Sequence, residues 1–244
     1  MRKYFGLLFL SSVIFFTACK KNDEFVLPSI SDYSPLKVGK YITYKLDSTI
    51  YINFGQKDTT ISYQVKHEVD AAITDALGRP AFRIIRYIRK TAANPWVPDN
   101  TFMITNTGSS IEFVENNLRY IKLKAPMRDG FSWKGNSYID TKSINSPLQY
   151  LDEWDYTYDS LNLPSKIGTL TVDSCLKVAQ QDETIGNPND NNSYSERNIG
   201  IEKYAKGLGL VFRHFFHSEH QPPANGSPGY TNGYGVVLTM IDHN

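Results

Sequence analysis

Ile61-Ser62-Tyr63-Gln64-Val65-Lys66-His67-Glu68-Val69 alternates without a break: Ile61, Tyr63, Val65, His67 and Val69 share one parity, and Ser62, Gln64, Lys66 and Glu68 share the other. A period of two is the geometry of a strand with one buried face. The pattern continues in both directions. Upstream, Ile42, Tyr44, Leu46, Ile50, Ile52 and Phe54 stand against Thr43, Lys45, Asp47 and Asn53. Downstream, the turn-forming Asp75-Ala76-Leu77-Gly78-Arg79-Pro80 leads into a strand at 82–90, which makes a hairpin. Further strands are expected at 102–107, 110–115 and 118–123, the last two joined by Asn116-Asn117, and at 154–158, 168–180, 208–217 and 234–242. Helical spacing occurs only over 148–162, where Trp154, Tyr156 and Tyr158 argue equally for a strand. Strands in series, joined by short turns and with no alternating helices, make an antiparallel meander. A sheet of that length must curl to protect its edges. The expectation is therefore an all-β fold, an open barrel, half-barrel or sandwich with little or no helix.

Within 168–178, Leu170, Val172, Leu176 and Val178 are expected on one core face with Leu208, Leu210, Phe212 and Phe216. Cys175 then faces away, beside Thr171, Asp173 and Lys177. Gly207-Leu208-Gly209 reads as a bulge or tight bend where the sheet curls, because no helix follows to make it a phosphate loop. Two polar loops, 186–193 and 221–229, interrupt the strands.

The amino terminus carries a different signal. Arg2 and Lys3 precede an apolar run from Tyr4 to Phe16, then Thr17-Ala18-Cys19 and the polar Lys20-Lys21-Asn22-Asp23-Glu24. The run is too short to span a bilayer, which needs roughly 20 apolar residues, and it has the three-part form of a cleaved export signal. Thr17-Ala18-Cys19 resembles the lipobox of bacterial lipoproteins, which implies a signal peptide over 1–18 and acyl chains on Cys19. Residues 19–35, polar with two prolines, are expected to be a flexible tether, and 36–244 a single β-rich domain. Cys175 is left without a disulfide partner once the lipid takes Cys19. Loss of Arg2 and Lys3 with the first 18 residues takes the formal charge from +1 to −1. Neither value, nor the interleaved basic residues of 79–90, makes a nucleic-acid footprint.

Four segments together resemble uncharacterised envelope lipoproteins of the Bacteroidota type. They are Pro35-Leu36-Lys37-Val38-Gly39-Lys40-Tyr41-Ile42-Thr43-Tyr44, Asp129-Gly130-Phe131-Ser132-Trp133-Lys134-Gly135-Asn136, the strand ending Asp173-Ser174-Cys175-Leu176-Lys177-Val178, and Tyr204-Ala205-Lys206-Gly207-Leu208-Gly209-Leu210-Val211. Asp23 and Glu24 resemble the tag that sends such proteins to the cell surface. The resemblance implies an antiparallel open barrel, lipid-anchored at the outer membrane on its periplasmic or cell-surface face. It implies no activity.

No nucleophile elbow, His-Glu-x-x-His or Walker loop is present, so no catalytic residues or cofactor are assigned. His214-Phe215-Phe216-His217-Ser218-Glu219-His220 holds the densest set of metal-ligand types, with His217, Glu219 and His220 as candidates, although on a strand His214 and His217 face opposite ways. Asp152, Glu153, Asp155 and Asp159 offer carboxylates, and alternation with Trp154, Tyr156 and Tyr158 describes them more simply as a wet strand face. His67, on an apolar face, is positioned to line a cavity in an open barrel. With the abundant aromatic residues it suggests a ligand site drawn from His67, Trp133, Trp154 and Tyr156. The expected role is a non-enzymatic binding or scaffold lipoprotein with an apolar or glycan ligand and the membrane as its partner. The alternative is a metal- or carboxylate-dependent envelope hydrolase.

Overall fold

A computed structural model describes residues 28–244. The signal segment and Cys19 lie outside that range. Twelve strands are present: β1 Tyr41–Ile52, β2 Lys57–Thr74, β3 Pro80–Arg89, β4 Val97–Asn106, β5 Ser110–Glu115, β6 Leu118–Lys124, β7 Ser132–Lys134, β8 Asp155–Ile167, β9 Leu170–Gly186, β10 Ser195–Ala205, β11 Gly209–Gln221 and β12 Tyr230–His243. All pair antiparallel in one sheet of order β6-β5-β4-β3-β2-β1-β12-β11-β10-β9-β8-β7. The β1–β12 pair, from opposite ends of the described chain, joins the two meanders at mid-sheet. The sheet curls into a nearly closed barrel with one unsealed seam, between β6 and β7.

The seam carries no strand ladder and is bridged by one backbone bond and by side chains. The Ile121 amide donates to the Gly135 carbonyl at 2.8 Å, and the Trp133 indole donates to the Ile121 carbonyl at 2.7 Å. The Tyr158 hydroxyl accepts from the Lys124 amide at 2.9 Å and donates to the Lys124 carbonyl at 2.8 Å. Burial raises the Tyr158 pKa, so the phenol keeps the proton it donates. An unpaired backbone edge invites another strand, and pairing it with side chains removes that invitation. Tyr158→Phe leaves both Lys124 groups without this partner. It is expected to cost about 1–3 kcal/mol in urea unfolding and to speed hydrogen exchange across β6 before other strands. Unchanged exchange in β6 would show that the hydroxyl does not hold the seam.

Residues 30–35 are not tether. Ser29 caps a 3-10 turn over Ile30–Tyr33 through a bond to the Ser31 amide. Ile30 and Tyr33, three apart and on one side of that turn, are 3% and 0% exposed in the main core. The Asp32 carbonyl accepts from the Gly207 amide at 2.7 Å, docking the turn on the β10–β11 connection. Gly207 and Gly209 take φ of 76° and 109°, which fits the expected tight bend.

The face assignment in β9 needs correction. Leu163 pairs with Cys175 but Ser165 with Val172, so β9 carries one extra residue there, and Ser174 has φ 50°. This bulge switches parity. Leu176 and Val178 enter the main core, whereas Val172 packs on a second cluster and Leu170 is exposed. Cys175 does point opposite to Leu176, but it is 3% exposed rather than solvated. The end of the β8–β9 hairpin covers that side, with Ile167 in the Cys175 cluster. A second bulge, between Lys203 and Tyr204 against β11, makes Phe215 rather than Phe216 the buried residue and leaves Phe212 with the second cluster.

Candidate functional site

The barrel encloses a cavity of about 370 Å³, within the range of small-molecule sites. One wall is apolar, formed by Ile84 on β3, Phe102 and Ile104 on β4 and Phe113 on β5. Around it stand tyrosines whose hydroxyls are largely engaged: Tyr44 donates to the Leu210 carbonyl at 2.8 Å and Tyr156 to Asn136 at 2.9 Å. The connection between β7 and β8 passes over the lumen side of β11 and β12. Its Tyr150 stacks on His217 at 3.7 Å between ring centroids, and its hydroxyl lies 3.4 Å from that of Tyr234.

Two ion pairs cross the lumen. Arg213 on β11 meets Glu115 on β5 at 3.0 Å, and Lys122 on β6 meets Glu202 on β10 at 2.6 Å. The Tyr204 hydroxyl donates to Glu202 at 2.6 Å, and Arg213 Nε lies 3.8 Å from Glu202. Burial alone would raise the Glu202 pKa, but Lys122 and then Arg213 outweigh it and hold the carboxyl below its ordinary value. Glu115 behaves alike, with Arg213 as the main counterweight to burial. Both carboxyls are therefore charged partners of their cations at neutral pH.

His67 lies on the cavity wall between Tyr44 and Phe102, with ring centroids at 4.9 and 5.2 Å. Burial, assisted by Arg86, pushes its pKa from 6.5 down to about 3. The unfolded chain then holds the extra proton between those two values, so stability falls as pH falls through that window. His67→Phe keeps the ring packing and removes the titration. At pH 5 it is expected to gain about 2 kcal/mol relative to its own effect at pH 8. His214 and His217 are shifted the same way by burial, so urea melts of the two proteins must be compared by difference. A pH-independent difference between variant and parent would remove His67 from this account.

Of the residues expected at a ligand site, His67, Trp154 and Tyr156 line the cavity, whereas Trp133 does not and instead bridges the seam to Ile121. His217, Glu219 and His220 are held apart by separate partners. His217 Nδ1 is 2.8 Å from Asn198 Oδ1, His220 sits between Thr231 at 3.0 Å and the Asn191 carbonyl at 3.1 Å, and Glu219 accepts from Gln221 at 2.6 Å. Among the described residues no three His, Cys, Asp or Glu side chains gather as a metal site. Asp152, Asp155 and Asp159 each pair with a lysine, Lys142 at 2.8 Å, Lys134 at 2.9 Å and Lys177 at 2.6 Å.

The lumen charges escape sequence reading, since Glu115, Lys122, Glu202 and Arg213 lie on four strands and only the barrel's closure brings them together. Gln180 was also missed. It packs with Trp154 over Gly200, where an added Cβ would lie 2.7 Å from the indole and 2.8 Å from the Gln180 Cβ. Comparison with protein-family models, with curated proteins and with solved structures gives no match.

Proposed function

We propose that this chain is a lipid-anchored lipoprotein of the outer membrane whose barrel binds an apolar or glycan ligand without transforming it. The observation that carries the binding half is the cavity, which combines an apolar wall with a few converging polar groups. The carboxylates that line it, Glu115 and Glu202, are paired with Arg213 and Lys122. Thr17-Ala18-Cys19 after a short apolar run supports the anchoring half, because each buried acyl CH₂ contributes about 0.8 kcal/mol to membrane affinity.

The two halves are tested separately. Cys19→Ala is expected to release the protein from cell membranes, and a variant still sedimenting with them after a high-salt wash ends the anchoring claim. The Cys19→Ala chain is then titrated with Nile red, a neutral apolar dye. Saturable binding that Ile84→Trp abolishes by filling the cavity supports the binding claim, and absence of saturable binding to the parent ends it.

A further inference from the structure

Three of the four cations that line the cavity are paired with carboxylates. Arg86 is 2.5 Å from Asp99, Lys122 is 2.6 Å from Glu202, and Arg213 is 3.0 Å from Glu115. A ligand anion entering the lumen finds every interior cation already held by a carboxylate, and a ligand cation finds every carboxylate held. Lys40, the remaining lining cation, stands at the solvent-reached end, where it donates to the Gly207 carbonyl at 2.7 Å.

What the wall leaves unfilled is polar but uncharged. Trp154 Nε1, Gln180 Nε2 and His67 Nε2 are buried with no hydrogen-bond partner, and all three residues line the cavity. An indole N–H can only donate. The side chains of Trp154 and Gln180 meet over Gly200, and both residues line the cavity together with Ile84, Phe102, Ile104 and Phe113. His67 is neutral, because burial pushes its pKa to about 3.

We infer that the cavity selects an uncharged amphiphile, with an apolar body and an acceptor-bearing head such as an ester, amide or ether. The body lies on the Phe102–Phe113 wall, and the head accepts from Trp154 and Gln180. A charged head is rejected because it must leave water for a lumen whose buried cations and carboxylates are already paired with one another. This rests on the binding reading above and names its ligand class.

The test uses the Cys19→Ala full chain with bound Nile red, displaced by methyl decanoate, decanoate or decylammonium at pH 8. The ester is expected to displace the dye at a concentration at least tenfold below either ion. Trp154→Phe, which keeps an aromatic ring and loses the donor, should weaken the ester about fivefold and leave the ions unchanged. Asp99→Asn frees Arg86 at the cavity wall without altering a lining residue. It should improve decanoate at least fivefold and leave the ester within twofold. Equal displacement by all three compounds, or a preference for either ion in the parent protein, overturns the inference while the binding reading stands. Dye that binds saturably and is displaced by none overturns it in the same way. A parent that binds no dye removes both.

Discussion

Glu202→Ala is expected to lower the unfolding free energy by about 3–5 kcal/mol, the usual cost of leaving one member of a buried ion pair without its partner. Lys122 and Glu202 are 7% and 1% exposed in their side chains and 2.6 Å apart. Removal of the carboxylate strands the ammonium in the lumen and takes the acceptor from the Tyr204 hydroxyl. Lys122→Met alone should cost a similar amount, by leaving the buried Glu202 carboxylate with only the Tyr204 hydroxyl and the 3.8 Å approach of Arg213 for compensation. The double variant Lys122→Met, Glu202→Leu should recover most of the loss, since a buried ion pair contributes little net stability over apolar residues of similar volume. Urea melts of the three variants decide it. Additive losses would mean that the two residues stabilise the barrel independently, and the pair would then not be a strap across the lumen.

That strap also marks where the sequence stops being readable. The hairpin of β2 and β3 was legible because Val65, His67 and Val69 face a covered side while Gln64 and Lys66 face outward, which is the pattern that period-two reading detects. β10 was missed for the opposite reason. Its inward residues are Asn198, Gly200, Glu202 and Tyr204, and its two isoleucines, Ile199 and Ile201, are only partly buried. A strand that turns its polar side to a polar lumen shows alternation with the sign reversed. Seam strand β7, Ser132–Lys134, is too short to display any period. The docking of Ile30 and Tyr33 depends on the Gly207 amide, 177 positions beyond Ile30, and nothing local announces it. Among the site residues, His67 and the aromatic Trp154 and Tyr156 were legible by type and parity. Gln180 and the four lumen charges were not, because their meaning lies in which strands the curl sets opposite one another.

Leu176→Ala is expected to cost about 2–5 kcal/mol, through lost burial and the cavity left behind. Leu176 is 0% exposed in the main core. Lys177→Ala, which breaks a surface pair with Asp159 at 2.6 Å, should cost less than about 1 kcal/mol. Those two values would follow from any strand with one covered face. Cys175 separates the simple strand from the bulged one. It lies on the opposite side from Leu176, yet it is 3% exposed among Ile167, Ala205 and Val211, and its thiol donates weakly to the Val172 carbonyl at 3.6 Å. Cys175→Ser places a stronger hydrogen-bonding group in that apolar layer and should cost about 1–3 kcal/mol. Burial also raises the Cys175 pKa, so a thiol reagent should label the folded protein far more slowly than the unfolded chain. Large losses at both 175 and 176 require both faces of β9 to be covered, which happens only if the β8–β9 hairpin end folds onto the outer wall beside Thr239. A Cys175→Ser protein as stable as its parent, with a thiol labelled at the rate of an exposed cysteine, would place that hairpin end free in solvent and return β9 to the single-faced strand its alternation describes.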